Sequence, residues 1–429
     1  MPEQAIPPSP APLPLPLPLC GLRVLDLGRF VAAPWCTQLL GDLGAEVIKI
    51  ERPGSGDQMR GYGPPFLRDA AGNDTTESAY FLCTNRSKRS VAIDMSTPQG
   101  QELVRGLAAK SDILVENFKV GDLARSGLDY AGIRKIRPDI IYCSITAFGQ
   151  TGPYAPRPGL DSVFQAMGGL MSVTGEPDGP PQKTGVTIVD IITGLYAATA
   201  VLAAVRHREH GGGGQHIDMA LMDAAVATMS HRAQDYLLTG EVPERTGTQT
   251  TGSAPAQVFR CKDGEINIQA GDQPAFEALC DTLGLRSLVS DPRFLKRSDR
   301  WVNRADLLPQ LQAAMDDRGQ RELYDALVAR GVVSAPIYTL DRTFSDPQVV
   351  HRAMRQLIRH PLSDELPILR NPIRFSTTSM DNYRAPPMLG EHTHEVLAGL
   401  LKLSADRIEE LIAQHVVGRH VGCSAPAGG

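Results

Sequence analysis

An alternation of short apolar runs with helical segments, starting at Gly21, limits the chain to a small set of folds. Residues 22–27 have the composition of a buried strand, a helical segment follows, and residues 45–50 form a second apolar run. Two strands that flank one helix in so short a segment are parallel. The pattern repeats over residues 90–115 and continues in a strand at 140–144. We therefore predict an α/β fold with a doubly wound parallel sheet.

Two glycine-containing segments argue against a bound dinucleotide or a P-loop nucleotide. The loop after the first strand reads GRFVAAP and lacks the G-x-G-x-x-G pattern that builds a pyrophosphate site. The segment 210–215, HGGGGQ, resembles a phosphate loop, but no Lys followed by Ser or Thr comes after it. Its glycines are typical of a turn between a helix and a strand.

Charge and cysteine content narrow the class of protein further. A formal net charge of −5 gives no reason to expect binding to nucleic acid or to a membrane surface. No run of about 18 apolar residues is present that would span a membrane. The 7 cysteines are scattered without a C-x-x-C pair, so we expect no metal site. Their odd number is typical of a reducing compartment, and we expect a cytoplasmic protein.

The segment 159–197 contains three aspartates, of which Asp190 stands out. It follows a β-branched run, 185–189, that reads as a buried strand or loop end. A nearly uncharged, alanine-rich segment follows it and predicts a buried helix. An aspartate at such a junction is either an N-cap or a reactive carboxylate, and the residues alone leave both interpretations open. Asp178, in the sequence EPDGPP, is typical of a surface turn.

Seven longer motifs carry a resemblance to a known family. They are GLRVLDLGRFVAAPWCTQLLGDLGAEVIKIERPGSGD, NRSKRSVAIDM, LVENFKVGDLARSGL, IIYCSITAFGQTGPY, GQHIDMALMDA, GVVSAPI and PPMLGEHTHEVL. In this order they resemble the family III CoA-transferases from Gly21 to about Val417. The resemblance implies a protein similar to the formyl-CoA, carnitine and dicarboxylate CoA-transferases, and related to the α-methylacyl-CoA racemases. YCSITAFGQTGPY and the TGEP loop look most like members that act between succinyl-CoA and a dicarboxylic acid.

The resemblance implies a Rossmann-like large domain built from both chain ends, a smaller inserted α+β domain and an interlocked homodimer. A polar, glycine-rich linker before the hairpin-like sequence VFRCKDGEINIQA agrees with an insertion. We predict a disordered proline-rich arm at 1–19, the first part of the large domain at 20–225, the linker and small domain at 226–340, the return to the large domain at 341–418 and a flexible tail at 419–429.

For catalysis, the resemblance matches Asp190 to the family's nucleophile and Asp161 to a supporting position at the site. The implied reaction passes CoA from an acyl-CoA to a carboxylic acid through mixed anhydrides and an aspartyl-CoA thioester. We expect the helix N-terminus to lower the pKa of Asp190, and nearby backbone N–H groups to bind the oxyanion. A CoA thioester is then a substrate, and we expect no permanently bound cofactor.

The residues expected to bind CoA come from the same resemblance. Val31 and Ala32 match backbone contacts to pantetheine and thioester, and Arg52 matches a residue at the nucleotide end. The other matched residues are Ile93 at the adenine, Asn117 and Phe118 at the pantetheine, and Arg125 at a phosphate. Lys88 and Arg89 lie close enough in sequence to Ile93 that we expect them to contact phosphate.

Two other functions remain to be weighed, and the acceptor's second carboxylate still needs a cation. A racemase of the related family requires a histidine upstream of Asp161, and the first histidine here is His207. A non-catalytic CoA-binding protein would retain the arginines and lose the carboxylate, but Asp190 is present. The sequence does not choose among the candidate cations, which are Arg60, Arg68, Arg86 and Arg157.

Overall fold

A computed structural model describes residues 16–420, so most of the predicted arm and most of the predicted tail lie outside the described residues. The strands are β1 Arg23–Asp26, β2 Glu46–Glu51, β3 Phe66–Arg68, β4 Asp74–Ser78, β5 Lys88–Ala92, β6 Ile113–Glu116, β7 Ile141–Thr146, β8 His216–Ala220, β9 Ala256–Cys261, β10 Gly264–Gln269, β11 Val333–Pro336, β12 Arg355–His360 and β13 Ser363–Leu369.

The helices are α1 Ala32–Asp42, α2 Ala79–Leu82, α3 Pro98–Ala108, α4 Tyr130–Arg134, α5 Asp161–Met167, α6 Ile188–Glu209, α7 Leu221–Thr228, α8 Ser230–Thr239, α9 Gln273–Leu283, α10 Arg297–Val302, α11 Arg304–Ala313, α12 Gln320–Val328, α13 Leu340–Ser345, α14 Pro347–His351, α15 Thr393–Leu401 and α16 Ala405–Ala413. Short 3-10 helices occur at Gln58–Gly61, Leu123–Ser126, Met171–Val173 and Arg286–Val289.

Six parallel strands form the central sheet, in the order β5-β2-β1-β6-β7-β8. Counted along the sheet's own strands this order is 3-2-1-4-5-6, the order of doubly wound sheets that bind ligands at their carboxyl edge. The predicted α/β class with a parallel central sheet is confirmed.

Side chains alternate along the strands between two cores. Val24 and Val47 face a core that also contains α1, α6 and α7. Leu25 and Ile48 face the opposite core, which contains α3, α15 and α16. Because helices cover both faces, the strands are apolar on both sides, and their short uninterrupted apolar runs are explained.

The predicted disorder of residues 1–19 is wrong for its last residues. Leu19 is buried, and its N–H donates to the carbonyl oxygen of Leu43 at 2.9 Å. Leu17 packs against the same core. These leucines lie where α1 ends and leaves apolar surface uncovered, so the hydrophobic effect orders them despite their proline-rich surroundings.

The chain divides into two compact units. The larger consists of residues 1–168, 185–230 and 353–429, and the smaller of residues 169–184 and 231–352. The smaller unit has a β11-β10-β9 antiparallel sheet with its own apolar core. It begins and ends later than the predicted 226–340 and also includes 169–184, because backbone hydrogen bonds such as Gly247 N to Gly175 O tie this loop to it.

Helix α6 is the one helix within residues 16–420 that is long and apolar enough to cross a membrane by length and composition. From the sequence alone we expect no segment that could cross a membrane. Val189, Ala197 and Val201 of α6 are fully buried in the core that α1 shares. These residues pack one part of α6 into the core, while Leu195 and Tyr196 of the same helix are exposed.

Candidate active site

A cavity of about 600 Å³ opens at the carboxyl edge of the sheet, over the ends of β1, β2, β5 and β6. In doubly wound sheets the crossovers leave in opposite directions on either side of the first strand, which opens a crevice at this edge. The lining residues are Leu27, Arg29, Lys49, Ile50, Glu51, Arg52, Ser55, Gly56, Asp57, Gln58, Ile93, Asp94, Met95, Ser96, Phe118, Asp122, Leu123, Ser126 and Leu128.

Three residues from the sequence prediction lie together in this cavity: Arg52, Ile93 and Phe118. Arg52 follows β2 directly, is exposed and makes no ion pair with any residue of 16–420. Ile93 is buried at the end of β5. A free guanidinium and two apolar side chains suit a ligand with phosphate and aromatic groups.

Sequence reasoning missed Arg29, which also lines the cavity. Its guanidinium carbon lies 4.1 Å from the ring centroid of Phe118, and its Nε is buried without a hydrogen-bond partner among the described residues. Burial lowers the pKa of Arg29, although Asp57 opposes that effect. Its position directly after β1 was the available signal, because polar residues at strand carboxyl ends meet at the ligand edge.

Asn117 lies behind Arg29 and does not line the cavity. Its Nδ2 donates to the Arg29 carbonyl oxygen at 2.7 Å, and its Oδ1 accepts from the Arg29 N–H at 2.9 Å. Asn117 therefore fixes the backbone of an arginine in the cavity.

The predicted phosphate contacts of Lys88 and Arg89 are wrong. Lys88 is fully buried, and its Nζ donates to Asp26, Asn85 and the Pro34 carbonyl oxygen. Arg89 pairs with Glu46 and Glu395. Both residues begin β5, at the end of the strand opposite the cavity, whereas Ile93 follows its other end.

Arg125 lies beside the cavity in the 3-10 helix Leu123–Ser126, whose Leu123 and Ser126 line it. Its side chain is 82% exposed, and its guanidinium lies 3.7 Å from the carboxylate of Asp122. Such an exposed pair is weak, so the guanidinium is available to an anionic ligand.

Asp161 and Asp190 meet at the N-terminus of α6. Asp161 is buried, and its Oδ2 accepts hydrogen bonds from the N–H groups of Val189 and Asp190 at 2.8 and 3.1 Å. Its Oδ1 accepts from Gln165 Nε2. The cap residue of α6, Thr187, makes no side-chain hydrogen bond. Asp161, which lies on α5, caps α6 in its place.

Of the alternatives that the sequence left open for Asp190, the structure removes the strand end and the N-cap, since Asp190 follows a loop and Thr187 is the cap residue. Residues 185–187 are not a strand, and Asp190 lies in the first turn of α6. It is half-buried, and its carboxylate accepts no hydrogen bond from the described residues. Burial and, second, the charge of Asp161 raise the pKa of Asp190 to about 7, opposite to the expected direction.

Helix α1 packs against α6 close to Asp190. A Cβ on Gly194, one turn after Asp190, would lie 2.8 Å from the Ala32 carbonyl oxygen, so only glycine permits this approach. The buried N–H groups of Ala32 and Ala33, at the uncapped start of α1, have no acceptor among the described residues. The expected oxyanion donors of α6 are already bound to Asp161, whereas those of α1 are free.

No group of three or more His, Cys, Asp or Glu within residues 16–420 is arranged to hold a metal ion. The site instead combines a half-buried carboxylate, free backbone N–H groups and a cavity with arginines. These groups suit an α/β enzyme that transfers an acyl or thioester group.

Comparison with known proteins agrees with that class and identifies the family. The CoA-transferase family III profile matches residues 19–393. The chain belongs to this family and is a CoA-transferase.

Several characterised relatives are similar over nearly the whole chain. The succinate–glutarate CoA-transferase of Agrobacterium fabrum is 41% identical over 89% of this chain and 95% of its own. The succinyl-CoA:glutarate CoA-transferase of Mus musculus is 39% identical over 93% and 90%. A crystal structure of a CaiB/BaiF family protein from Brucella suis is 43% identical with a TM-score of 0.82, and the match covers 90% of this chain and 100% of that one.

Proposed function

We propose that this enzyme transfers CoA from succinyl-CoA to a dicarboxylic acid of the size of glutarate, with Asp190 as nucleophile. The observation that carries the proposal is the half-buried Asp190 carboxylate, which accepts no hydrogen bond from described residues, beside the free N–H groups of α1. The names of the two glutarate CoA-transferases above support the substrates.

Four steps complete the exchange, and the CoA thiolate released in the first and third steps is consumed in the second and fourth. The Asp190 carboxylate attacks the thioester carbonyl, the C–S bond breaks, and a mixed anhydride and the CoA thiolate form. The thiolate attacks the aspartyl carbonyl, which gives aspartyl-CoA and free succinate. The acceptor carboxylate attacks aspartyl-CoA to form a second anhydride and thiolate. The thiolate then takes the acceptor's acyl group and restores Asp190.

Each step passes through a tetrahedral oxyanion, and α1 supplies its donors in this proposal. The N–H groups of Ala32 and Ala33 are buried and unpaired among the described residues, and they lie at the positive end of the helix dipole. Donors that are fixed before the charge develops stabilise it without reorganisation. In this proposal Val31 and Ala32 act at the thioester, the role that the family resemblance implies for them.

The cavity receives the nucleotide end of CoA. Arg29 and Arg52 face it with guanidinium groups that make no ion pair with any described residue, and Phe118 offers an aromatic surface. Guanidinium binds phosphate through two parallel hydrogen bonds, so these arginines suit the pyrophosphate and the 3′-phosphate. Arg125 at the margin adds a third positive charge.

Among the four candidate cations for the second carboxylate of the acceptor, we propose Arg157. Arg60 is buried in ion pairs with Glu51 and Glu77, and Arg86 in one with Asp42. Arg68 forms only an exposed, weak pair with Asp74 on the β3–β4 hairpin, so that pair alone does not exclude it. Arg157 stacks on Tyr154 at 3.8 Å in the loop that leads to Asp161, and it makes no ion pair with any described residue.

The geometry also argues against a racemase. The carboxylate of Asp161, which would be a proton-transfer group in that family, is occupied by two backbone N–H groups and Gln165. The sequence before His207 contains no histidine to act opposite it. A racemase would incorporate deuterium at Cα of a 2-methylacyl-CoA in deuterated water, and we expect none.

We further propose a cytoplasmic homodimer. On α6, Leu195 and Tyr196 are 45% and 48% exposed, although other residues of that helix, such as Ala197 and Val201, are buried in the core. On α8 of the smaller unit, Leu237 and Leu238 are 73% and 75% exposed. Apolar surfaces of this kind mark interfaces. Light scattering at micromolar concentration tests the dimer, and a fully active monomer would contradict it.

Asp190→Asn tests the nucleophile. Asparagine keeps the side-chain shape but does not attack, so we expect turnover to fall by several orders of magnitude. Wild-type enzyme incubated with succinyl-CoA and then hydroxylamine should be modified on the peptide that contains Asp190. Asp178→Asn, in an exposed turn, is the matched control and should remain active. Labelling of a different carboxylate would show that Asp190 is not the nucleophile.

A further inference from the structure

Residues 28–31 form most of the loop between β1 and α1. Side chains from other parts of the chain hydrogen-bond to the backbone N–H and carbonyl groups of this loop. Gly28 N donates to Asp26 Oδ1 at 2.8 Å, and Gly28 O accepts from Lys49 Nζ at 2.6 Å. Asn117 binds both the N–H and the carbonyl oxygen of Arg29. Phe30 N donates to Asp57 Oδ1 at 3.2 Å. Five consecutive polar groups of an irregular segment are thus fixed by side chains.

Two fully buried lysines bond the backbone at the start of this loop and in the helix that follows it. Lys49 on β2 bonds Gly28 O and pairs with Asp57 Oδ2 at 3.0 Å. Lys88 on β5 bonds Pro34 O, in the first turn of α1, and pairs with Asp26 Oδ2 at 3.0 Å. Burial of a lysine is unfavourable unless the ammonium is paired, so both positions are demanding to maintain. Each ammonium donates one hydrogen bond to a backbone carbonyl oxygen, Lys49 in the loop and Lys88 in the first turn of α1.

The conformation that these contacts maintain is a strained one. Phe30 has a φ of 63°, in the left-handed region that is unfavourable for a side chain with a Cβ. Its N–H bond to Asp57 and its packing with Val31, Met59 and Phe81 hold it there. Such strain persists only where the surroundings over-determine the backbone, and it is frequent at functional sites.

The loop joins the two halves of the proposed site. Arg29 faces the cavity, while three residues later Ala32 begins the helix whose free N–H groups lie beside α6. The position of Ala32 relative to Asp190 therefore depends on the path of residues 28–31. A shift of this path would therefore move the oxyanion donors together with Arg29.

We infer that Lys49 and Lys88, with their partners Asp57 and Asp26, are positioning residues for the acyl transfer. They act through the loop, which they hold so that the first turn of α1 presents its N–H groups to the acyl group on Asp190. This inference rests on the proposed function, because it assigns the clamped loop to the oxyanion of that reaction.

The test is Lys49→Met, which keeps the side-chain length and removes the ammonium. We expect kcat to fall about 100-fold, the effect of misplacing reacting groups by about 1 Å. Lys49 and Arg29 both line the cavity, so the Kd of free CoA, measured by calorimetry, should rise as well, and the positioning role is tested by kcat at saturating substrate. Hydrogen exchange by mass spectrometry should show faster exchange in peptides covering residues 28–33 and unchanged exchange in β7.

Arg208→Met is the matched control. Arg208 also binds one carboxylate and backbone carbonyls, those of Asp112 and Asp139, but at the other edge of the sheet. It should retain kcat at a temperature where both variants are folded. If Lys49→Met does not fold, Asp57→Asn replaces it, because the asparagine Oδ1 still accepts from Phe30 N, whereas the charge and the oxygen that accepts from Lys49 Nζ are lost.

Three results overturn the inference: a folded Lys49 variant with kcat within threefold of wild type, equal losses of kcat in the Lys49 and Arg208 variants, or unchanged exchange of the loop amides. The exchange measurement needs no substrate. If the wild type lacked CoA-transferase activity with these substrates, the proposed function would fail. Hydrogen exchange would still test whether Lys49 holds the loop.

Discussion

The ionisation of Asp190 should set the acid limb of the enzyme's pH profile. Burial, followed by the charge of Asp161, raises the pKa of Asp190 from 3.8 to about 7. Only the carboxylate attacks a thioester, so the rate follows the ionised fraction. That fraction is about 9% one pH unit below the pKa and about 91% one unit above it. We therefore expect kcat/KM to rise about tenfold between pH 6 and 8.

The assay is the initial rate of CoA-thioester exchange between succinyl-CoA and glutarate, followed by liquid chromatography at constant ionic strength. Acceptor carboxylates have ordinary pKa values near about 4 and stay ionised over this range, so they do not produce the limb. A flat profile between pH 5.5 and 8, with a midpoint near 4, would refute the reasoning.

Asp161→Asn separates the two causes of the shift. Asparagine keeps one oxygen to accept the N–H groups of Val189 and Asp190 and loses the negative charge. We expect the midpoint to move to lower pH because the second cause is gone, yet to stay above 3.8 because burial, the larger cause, remains. A midpoint that moves upward would contradict the assignment of this charge.

Two other variants extend the argument. Arg157→Gln should raise KM for glutarate about 10- to 100-fold, the worth of a hydrogen-bonded charge, and leave the rate with butyrate unchanged; equal effects on both acids would remove Arg157 as the second-carboxylate site. The pKa of Asp190 is raised on folding, so its contribution to stability is fully present below pH 3.8 and is lost as pH rises through about 7. Asp190→Asn should therefore be more stable than wild type by up to about 4 kcal/mol at pH 8 and by less at pH 5, measured by urea unfolding; a gap independent of pH would contradict this.

The sequence predicted the central sheet because its signals are local. The apolar runs ending at Asp26 and Ile50, with a helix between them, have few alternatives to parallel pairing. The smaller unit was harder to delimit. Its boundary depends on hydrogen bonds between Gly175 and Gly247, which are far apart in sequence and carry no local pattern.

The site was predictable only where the family resemblance supplied it. Nothing local in KRS says that Lys88 points into the protein, because a lysine before a short strand usually faces solvent. Only the neighbouring β1, with Asp26, makes its burial possible. Arg29 was not predicted to line the cavity, because an arginine in a loop is ordinarily solvated. The direction of the pKa shift of Asp190 depends on its burial and then on the charge of Asp161, and neither has a local signal in the sequence.

The discontinuity of the larger unit has a consequence for synthesis on the ribosome. Its last residues close onto its early strands: Val417 forms a bridge with Ile93, and Gly418 N donates to Ala92 O. The smaller unit is complete once residue 352 has emerged, whereas the larger one waits for residues 417 and 418. Although domains generally fold in order from the N-terminus, here the inserted unit can finish first, and the nascent large unit needs protection until residue 418 has emerged.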